Sequence, residues 1–324
     1  RLVANEKVEG STPFARSKGN ILNYITKYFQ NLIKGKDIRY FKNKKYYFFL
    51  FLILRKFLNQ DIIVNIYNFK VFASCKKNNT SHALLRKCDF DDKTELLVLK
   101  NLSTKNNIFF LDCGSNYGFY SLFVAGLNSS NKVISIEASK KTIELLKRNK
   151  ELNHFSNIIL YNVALSNTDD NIVVFNESVN DWESSISHKS FKLSNQDKIL
   201  TKKIDTIIDY ENVKDNQTLF IKLDIEGNEF KAIEGAYKTI RNFEPIVIIE
   251  FSRFIFESHN SQTFLYNFLK DFDYEIYDNN RKNVTEKKIF ELIKNLDANH
   301  DTIGNYYLIK KISKNLKFFL KNYD

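Results

Sequence analysis

The chain has 324 residues, 43% of them hydrophobic, which is enough to build a core and excludes a disordered chain. Its net charge is +11, but the excess lies at the two ends, so basicity alone does not point to nucleic acid. Cys75, Cys88 and Cys113 are an odd, widely spaced set without a CxxC pair, which argues against a disulfide framework and a zinc knuckle and fits a reducing compartment.

Residues 1–19, "RLVANEKVEGSTPFARSKG", lack the Lys/Asn/Ile/Phe character of the rest of the chain, which contains no Met. They are expected to be a truncated or mis-assigned start rather than folded structure, and they show no charged-then-apolar signal pattern. Residues 20–90 form an N-terminal extension. In "ILNYITKYFQNLI" (21–33), Ile21, Ile25, Phe29 and Leu32 share one helical face. The run "YYFFLFLILRKFL" (46–58) is interrupted by Arg55 and Lys56 and falls well short of the roughly 20 residues needed to span a bilayer. Between 21 and 60 the basic residues Lys27, Lys34, Lys36, Arg39, Lys42, Lys44, Lys45, Arg55 and Lys56 face Asp37 alone. Such a segment could be a lid or dimer contact, rest on an anionic membrane surface as a peripheral contact, or be a solvated face. "DIIVNIYNFKVFAS" (61–74) alternates like a strand pair with "YNFK" as its turn.

A helix is expected over "DDKTELLVLKNL" (91–102), opening a domain that runs to 312. From 107 onward, short apolar strands alternate with helical patterns. The strands are "NIFFLDCG" (107–114), "KVISIEAS" (132–139), "IILYNVALS" (158–166), "TLFIKLDIEG" (218–227) and "PIVIIEFS" (245–252). The helices between them include "KKTIELLKRNKEL", "NEFKAIEGAYKTI" and "SQTFLYNFLKDF". This rhythm predicts an α/β fold, a doubly wound, mostly parallel sheet buried on both faces. "YEIYDNN" (274–280) and "GNYYLIKK" (304–311) close it, with the last strand antiparallel, and residues 313–324 form a basic tail.

Ligands in such sheets sit beyond the carboxyl ends of the strands, at the switch point. "LDCGSNYG" (111–118) lies there. Its glycines are spaced G-x-x-x-G, so neither the dinucleotide G-x-G-x-x-G nor a P-loop G-K-[ST] is present. Asp112 would repel phosphate and welcome a cation. Glu137 ends the next strand, where a carboxylate either accepts from ribose hydroxyls or caps the following helix. A glycine turn with one acid beside it and another placed for a ribose suits a cationic, amino-acid-bearing nucleoside such as S-adenosylmethionine.

"FLDCGSNYGFYSLFVA", "VISIEAS", "LKRNKELN", "NVALSN", "IKLDIEGNEFKAIEGA" and "PIVIIEF" together resemble, in order and spacing, the FkbM-type S-adenosylmethionine-dependent methyltransferases over roughly residues 88–252. The resemblance implies a Rossmann-like class I methyltransferase fold and methylation of a hydroxyl on a saccharide or other small-molecule acceptor. A methyltransferase acting on RNA or protein and a non-catalytic nucleoside-binding module stay open beside it. The expected location is the cytoplasm, with a peripheral contact at the inner face of the membrane as the further option. It implies that Asp112, Gly114, Asn116 and Gly118 wrap the methionine end of the cofactor, Glu137 holds the ribose and Ala164 packs near the adenine. Cys113 departs from the small aliphatic residue usual in the family.

In "FIKLDIEGNEF" (220–230), Phe220, Lys222, Asp224 and Glu226 share one strand phase, so both carboxylates would project at the sheet edge, with Glu250 beside them. For Asp224 three roles stand open: general base, oxygen ligand of a divalent metal, or cap of the helix beginning near Asn228. Asp224 and Glu226 are the catalytic candidates, with no metal site assigned and S-adenosylmethionine as the cofactor. The polar stretch 178–200 lies over the pocket in family members, so the resemblance points to Trp182, Ser184, Ser185 and His188, with Glu250, as candidates for the acceptor cleft. No nucleic-acid motif is present.

Overall fold

The computed structural model describes residues 24, 27–57, 61–74, 80–90, 92–104, 106–178, 193–211, 213–214, 217–257, 260–297 and 300–321. The expected start over 1–19 and the cleft candidates Trp182, Ser184, Ser185 and His188 lie outside these residues.

The chain divides into two compact units, the first drawing on residues up to Asp89 and the second running on from Phe90, with 67–70 and Thr80 grouped in the second. In the first unit, residues 27–33 are helical (α1), followed by α2 (Lys45–Phe57), the hairpin of β1 (Ile62–Ile66) and β2 (Phe69–Ala73), and α3 (Thr80–Lys87). Aromatic packing organises it: Tyr47 lies 5.4 Å from the Phe29 ring and 5.2 Å from Phe41. The Tyr47 hydroxyl, buried with its ring, donates to the Leu85 carbonyl at 3.0 Å. Among the described residues, no helix is long and apolar enough to cross a membrane.

The second unit opens with α4 (Lys93–Ser103) and is built on an eight-stranded sheet. Its central strands are β3 (Asn107–Cys113), β4 (Lys132–Ile136) and β5 (Ile158–Tyr161). The strands β6 (Ala164–Leu165), β7 (Ile172–Ser178) and β8 (Leu193–Lys202) form a separate three-stranded sheet. Then come β9 (Gln217–Leu223), β10 (Ile246–Ser252), β11 (Tyr274–Tyr277), β12 (Asn283–Val284) and β13 (Thr302–Lys310). The order across the large sheet is β12-β11-β13-β10-β9-β3-β4-β5. Strands β10, β9, β3, β4 and β5 run parallel, and β13 is antiparallel to both of its neighbours, β10 and β11. The fold is the α/β, Rossmann-like sheet expected, with its antiparallel closing strand.

The parallel strands are mostly apolar because helices cover both faces, with polar residues such as Asp112 and Lys222 near their carboxyl ends. Phe109, Phe110, Leu111 and Cys113 are all fully buried. The helices are α5 (Phe119–Leu127), α6 (Lys140–Leu152), α7 (Ile204–Glu211), α8 (Glu229–Glu234), α9 (Tyr237–Phe243), α10 (Ser261–Phe272), α11 (Glu286–Lys294) and α12 (Lys314–Leu320). Helix α6 shows why such elements form here: Ser139 caps it by accepting from Thr142 N at 3.1 Å, and Ile143 and Leu146 turn inward. From β3 the chain winds outward to β4 and β5, then returns to place β9 on the other side of β3. That reversal is the switch point.

Four details differ from the sequence expectation. "IILYNVALS" is two strands in two sheets, separated at Asn162, whose Nδ2 donates to the Glu137 and Ala138 carbonyls at 2.8 and 3.1 Å. The end of the polar stretch 178–200 pairs as β8 with β7. The helix over "NEFKAIEGAYKTI" breaks into α8 and α9 around Gly235, where a Cβ would meet the Ser166 carbonyl at 2.2 Å. The basic segment 313–324 contains α12, whose Phe319 is buried against the Tyr307 and Tyr277 rings.

Candidate active site

A cavity of about 540 Å³ opens at the carboxyl ends of β3, β4, β9 and β10, a volume suited to a nucleoside-sized ligand. Asp112, Gly114, Asn116, Glu137, Ala164, Asp224, Glu226 and Glu250 all line it. Gly118 stands behind the wall as the left-handed N-cap of α5, at φ +84°.

The β3 turn is held by its own chain. Gly114 N and Ser115 N donate to the Ile136 carbonyl at 2.9 and 3.0 Å, and Gly118 N donates to the Ser115 carbonyl at 2.8 Å. Asn116 N donates to Glu137 Oε2 at 2.9 Å, while Glu137 Oε1 accepts from Ser139 N at 2.8 Å. Glu137 therefore ties the turn to the start of α6, and burial pushes its carboxyl up to about 7. With about four acceptor sites, the carboxylate keeps at least one that a hydroxyl could use. The glycines serve approaches within the chain. At Gly114, φ +78°, a Cβ would lie 1.8 Å from the Asp224 carbonyl oxygen. At Gly118 it would meet Leu146 at 2.8 Å.

Asp112 is 1% exposed, and its Oδ2 accepts from Ser121 N at 3.0 Å and Ser121 Oγ at 2.6 Å. It thus binds the first turn of α5, a favourable place for a carboxylate. Burial raises its carboxyl, opposed by the Lys222 charge and by Ser121. The Asn116 side-chain Oδ1 is buried in the wall of the cavity without a partner.

Asp112 and Lys222 are register partners on β3 and β9. Lys222, 2% exposed, donates to Asp224 Oδ2 at 2.7 Å and lies 4.8 Å from the centre of the Tyr120 ring. Burial would lower its ammonium, but Asp224 and Asp112, then Asp92, outweigh it and hold the lysine charged above its ordinary range. Strand β9 ends at Leu223, so the alternation that would carry Glu226 alongside Asp224 stops there; Glu226 sits in a left-handed turn at φ +54°.

That second turn has its own clamp. Glu229, 1% exposed, accepts from Ile225 N and Gly227 N, both at 2.9 Å, and burial raises it to about 7. Nothing in the periodicity singles out Glu229; the repeated acid in E-G-x-E is the signal that could have. Replacing it by Ala leaves two part-buried N–H groups without their acceptor, with an expected loss of about 1–3 kcal/mol in urea unfolding. Because Glu137 and Glu229 are raised in the folded state, the stability they contribute is present at acidic pH. It is lost as the pH rises from the unfolded carboxyl range through about 7.

Glu250, at the end of β10, is lifted to about 8, first by burial and then by the Asp224 charge. Two further cavity residues escape sequence reasoning because they come from outside the strand ends. Asp92, just before α4, is raised by burial and opposed by Lys222; the Tyr120 hydroxyl is buried beside it without a well-formed hydrogen bond. Among the described residues, no three His, Cys, Asp or Glu side chains are grouped as metal ligands.

A bacterial release factor glutamine methyltransferase from Buchnera aphidicola is 28% identical over 145 residues, 44% of this chain and 50% of that protein. The FkbM methyltransferase from Methylobacillus flagellatus has 19% identity and a TM-score of 0.38, over 70% of this chain and 52% of that one. A SAM-dependent methyltransferase from Agrobacterium tumefaciens has 9% identity and a TM-score of 0.41, over 78% of this chain and 71% of that one. The chain thus spans about half the length of the first two. The methyltransferase FkbM domain matches residues 112–276, from the acid at the end of β3 to the strand β11. The match takes in half the chain and most of the residues that build the cavity, and its cofactor is S-adenosylmethionine: the chain belongs to the FkbM methyltransferase family.

Proposed function

We propose that the chain is an S-adenosylmethionine-dependent O-methyltransferase acting on a hydroxyl of a saccharide or other small molecule. The observation that carries this reading is the unpartnered, buried Asn116 Oδ1 in a cavity whose two turns are already held by Glu137 and Glu229. An acceptor atom left in a preformed wall fits a ligand rich in N–H and O–H donors. Asn116, Glu137 and Ala164 would hold the nucleoside and amino-acid ends. When bound, the cofactor supplies a methyl group on a sulfonium sulfur.

The remaining chemistry belongs to the chain. Lys222 neutralises Asp224 in its 2.7 Å pair, so Asp224 positions the lysine and shapes the floor of the cavity. Glu250 is the better proton acceptor, since a base whose pKa lies near the working pH is the most effective. Its carboxylate takes the acceptor's hydroxyl proton as that oxygen gains the methyl group. Glu226, in the turn after β9, lines the same cavity and would border the acceptor. Activity should therefore rise with pH through about 8 and level off above it. Glu250→Gln should lower kcat by about 10²–10⁴-fold and abolish that limb while S-adenosylhomocysteine still binds. An unchanged pH profile in the variant would remove Glu250 from the reaction. Absence of S-adenosylhomocysteine binding to folded wild-type protein would remove the whole reading.

Methylation of a protein side chain is a second reading, favoured by the match to the Buchnera enzyme. The chain's two prolines, Pro13 and Pro245, leave no N-P-P-Y-type motif for amino-group methylation.

A further inference from the structure

The cavity has two halves. One lies over β3, β4 and β6, where Gly114, Asn116, Glu137 and Ala164 stand; the other lies over β9, β10 and the start of β13. The second half is lined by Asp92, Asp224, Glu226, Glu250 and Asp301. Among the described residues lining the cavity, Lys222 is the one cation, and its charge is taken up by Asp224. The positive excess of the chain lies at its two ends, so this acidity is a local feature of the cavity. A second observation shows that the half is built to receive something. Ser252, 4% exposed, lines it beside Glu250, and its Oγ is buried without a hydrogen-bond partner. A buried hydroxyl without a partner is costly unless a ligand completes it.

We propose that this half of the cavity selects acceptors bearing a positively charged amino group beside the hydroxyl and rejects anionic ones, with Ser252 pairing to the acceptor's polar groups. The inference rests on the methyltransferase reading for the identity of the occupant, and on the lining residues for its charge. Above about pH 8, where Glu250 is ionised, a phosphate or carboxylate brought here would meet like charges in a partly dry site, where they repel far more strongly than in water. An ammonium would be drawn in by the same field.

The test uses the full chain, first titrated with S-adenosylhomocysteine by calorimetry and then probed by NMR with two small nitroxides, one carrying an amine and one a carboxylate. Broadening of the Phe254 and Thr302 amides is compared with that of Lys288, exposed on α11. We expect the amine probe to broaden the cavity amides at least about threefold more than the carboxylate probe, after normalisation to Lys288. The ratio should fall in Asp92→Asn/Asp301→Asn. Equal broadening by the two probes, or stronger broadening by the carboxylate, in the wild-type protein overturns the proposal without reference to any variant. The readings separate cleanly: failure of the calorimetric titration rejects the methyltransferase reading, while the probe ratio, also read without S-adenosylhomocysteine, decides the charge preference.

Discussion

Lys222→Met should lower the unfolding free energy by about 3–5 kcal/mol at pH 8, because removing one partner of a buried ion pair leaves the others uncompensated. The side chain is 2% exposed and pairs with Asp224 at 2.7 Å. It also opposes the burial that raises Asp112 and Asp92. Methionine fills much of the same volume, so the loss is chiefly electrostatic. Its pH dependence has a definite sign. Without the ammonium these carboxylates rise further, and raised carboxylates favour the folded state only while protonated. The deficit of the variant should shrink toward pH 5 and grow toward pH 9. Urea unfolding of both proteins across this range checks it; a deficit independent of pH would mean that packing, not charge, is what Lys222 supplies.

Gly114→Ala should be the most damaging single methyl in the domain. The residue stands at φ +78°, and the added Cβ would lie 1.8 Å from the Asp224 carbonyl oxygen. The left-handed backbone alone costs about 1–2 kcal/mol. The overlap is with main chain, which no rotamer change relieves, so the β3 and β9 turns must part. A total near 4 kcal/mol is expected, with loss of S-adenosylhomocysteine binding at temperatures where the protein is still folded. Gly304→Ala is the control: it also has positive φ, at +89°, but nothing lies within 4 Å of its Cβ. It should show the backbone cost alone and keep binding. Equal losses in the two variants would show that the contact between the turns is unimportant.

The parallel strands and the helices α6 and α10 were legible because continuous burial and amphipathic spacing write themselves into the sequence. The turn at 111–118 was legible because a chain so poor in glycine places two there. What was hidden depends on the third dimension. That Gly114 makes room for the Asp224 carbonyl is visible only once β3 and β9 lie side by side. Asp224 and Glu226 look equivalent by alternation, and part because β9 ends at Leu223. The break at Asn162 was hidden because it serves the Glu137 and Ala138 carbonyls, contacts that no periodicity records. Asp92 reaches the cavity from a segment whose local pattern speaks only of a helix start.

The hydrogen bonds of the β3 turn have a consequence for which ligands the site turns away. Loops that grip nucleotides do so with unspent main-chain N–H groups aimed at phosphate. Here Gly114, Ser115 and Gly118 give theirs to carbonyls of the chain, and Asn116 gives its own to Glu137. A diphosphate arriving at this turn would exchange water for carboxylates and gain none of these donors in return. These four main-chain donors of the turn are therefore spent within the chain, and none of them is left over for a phosphate.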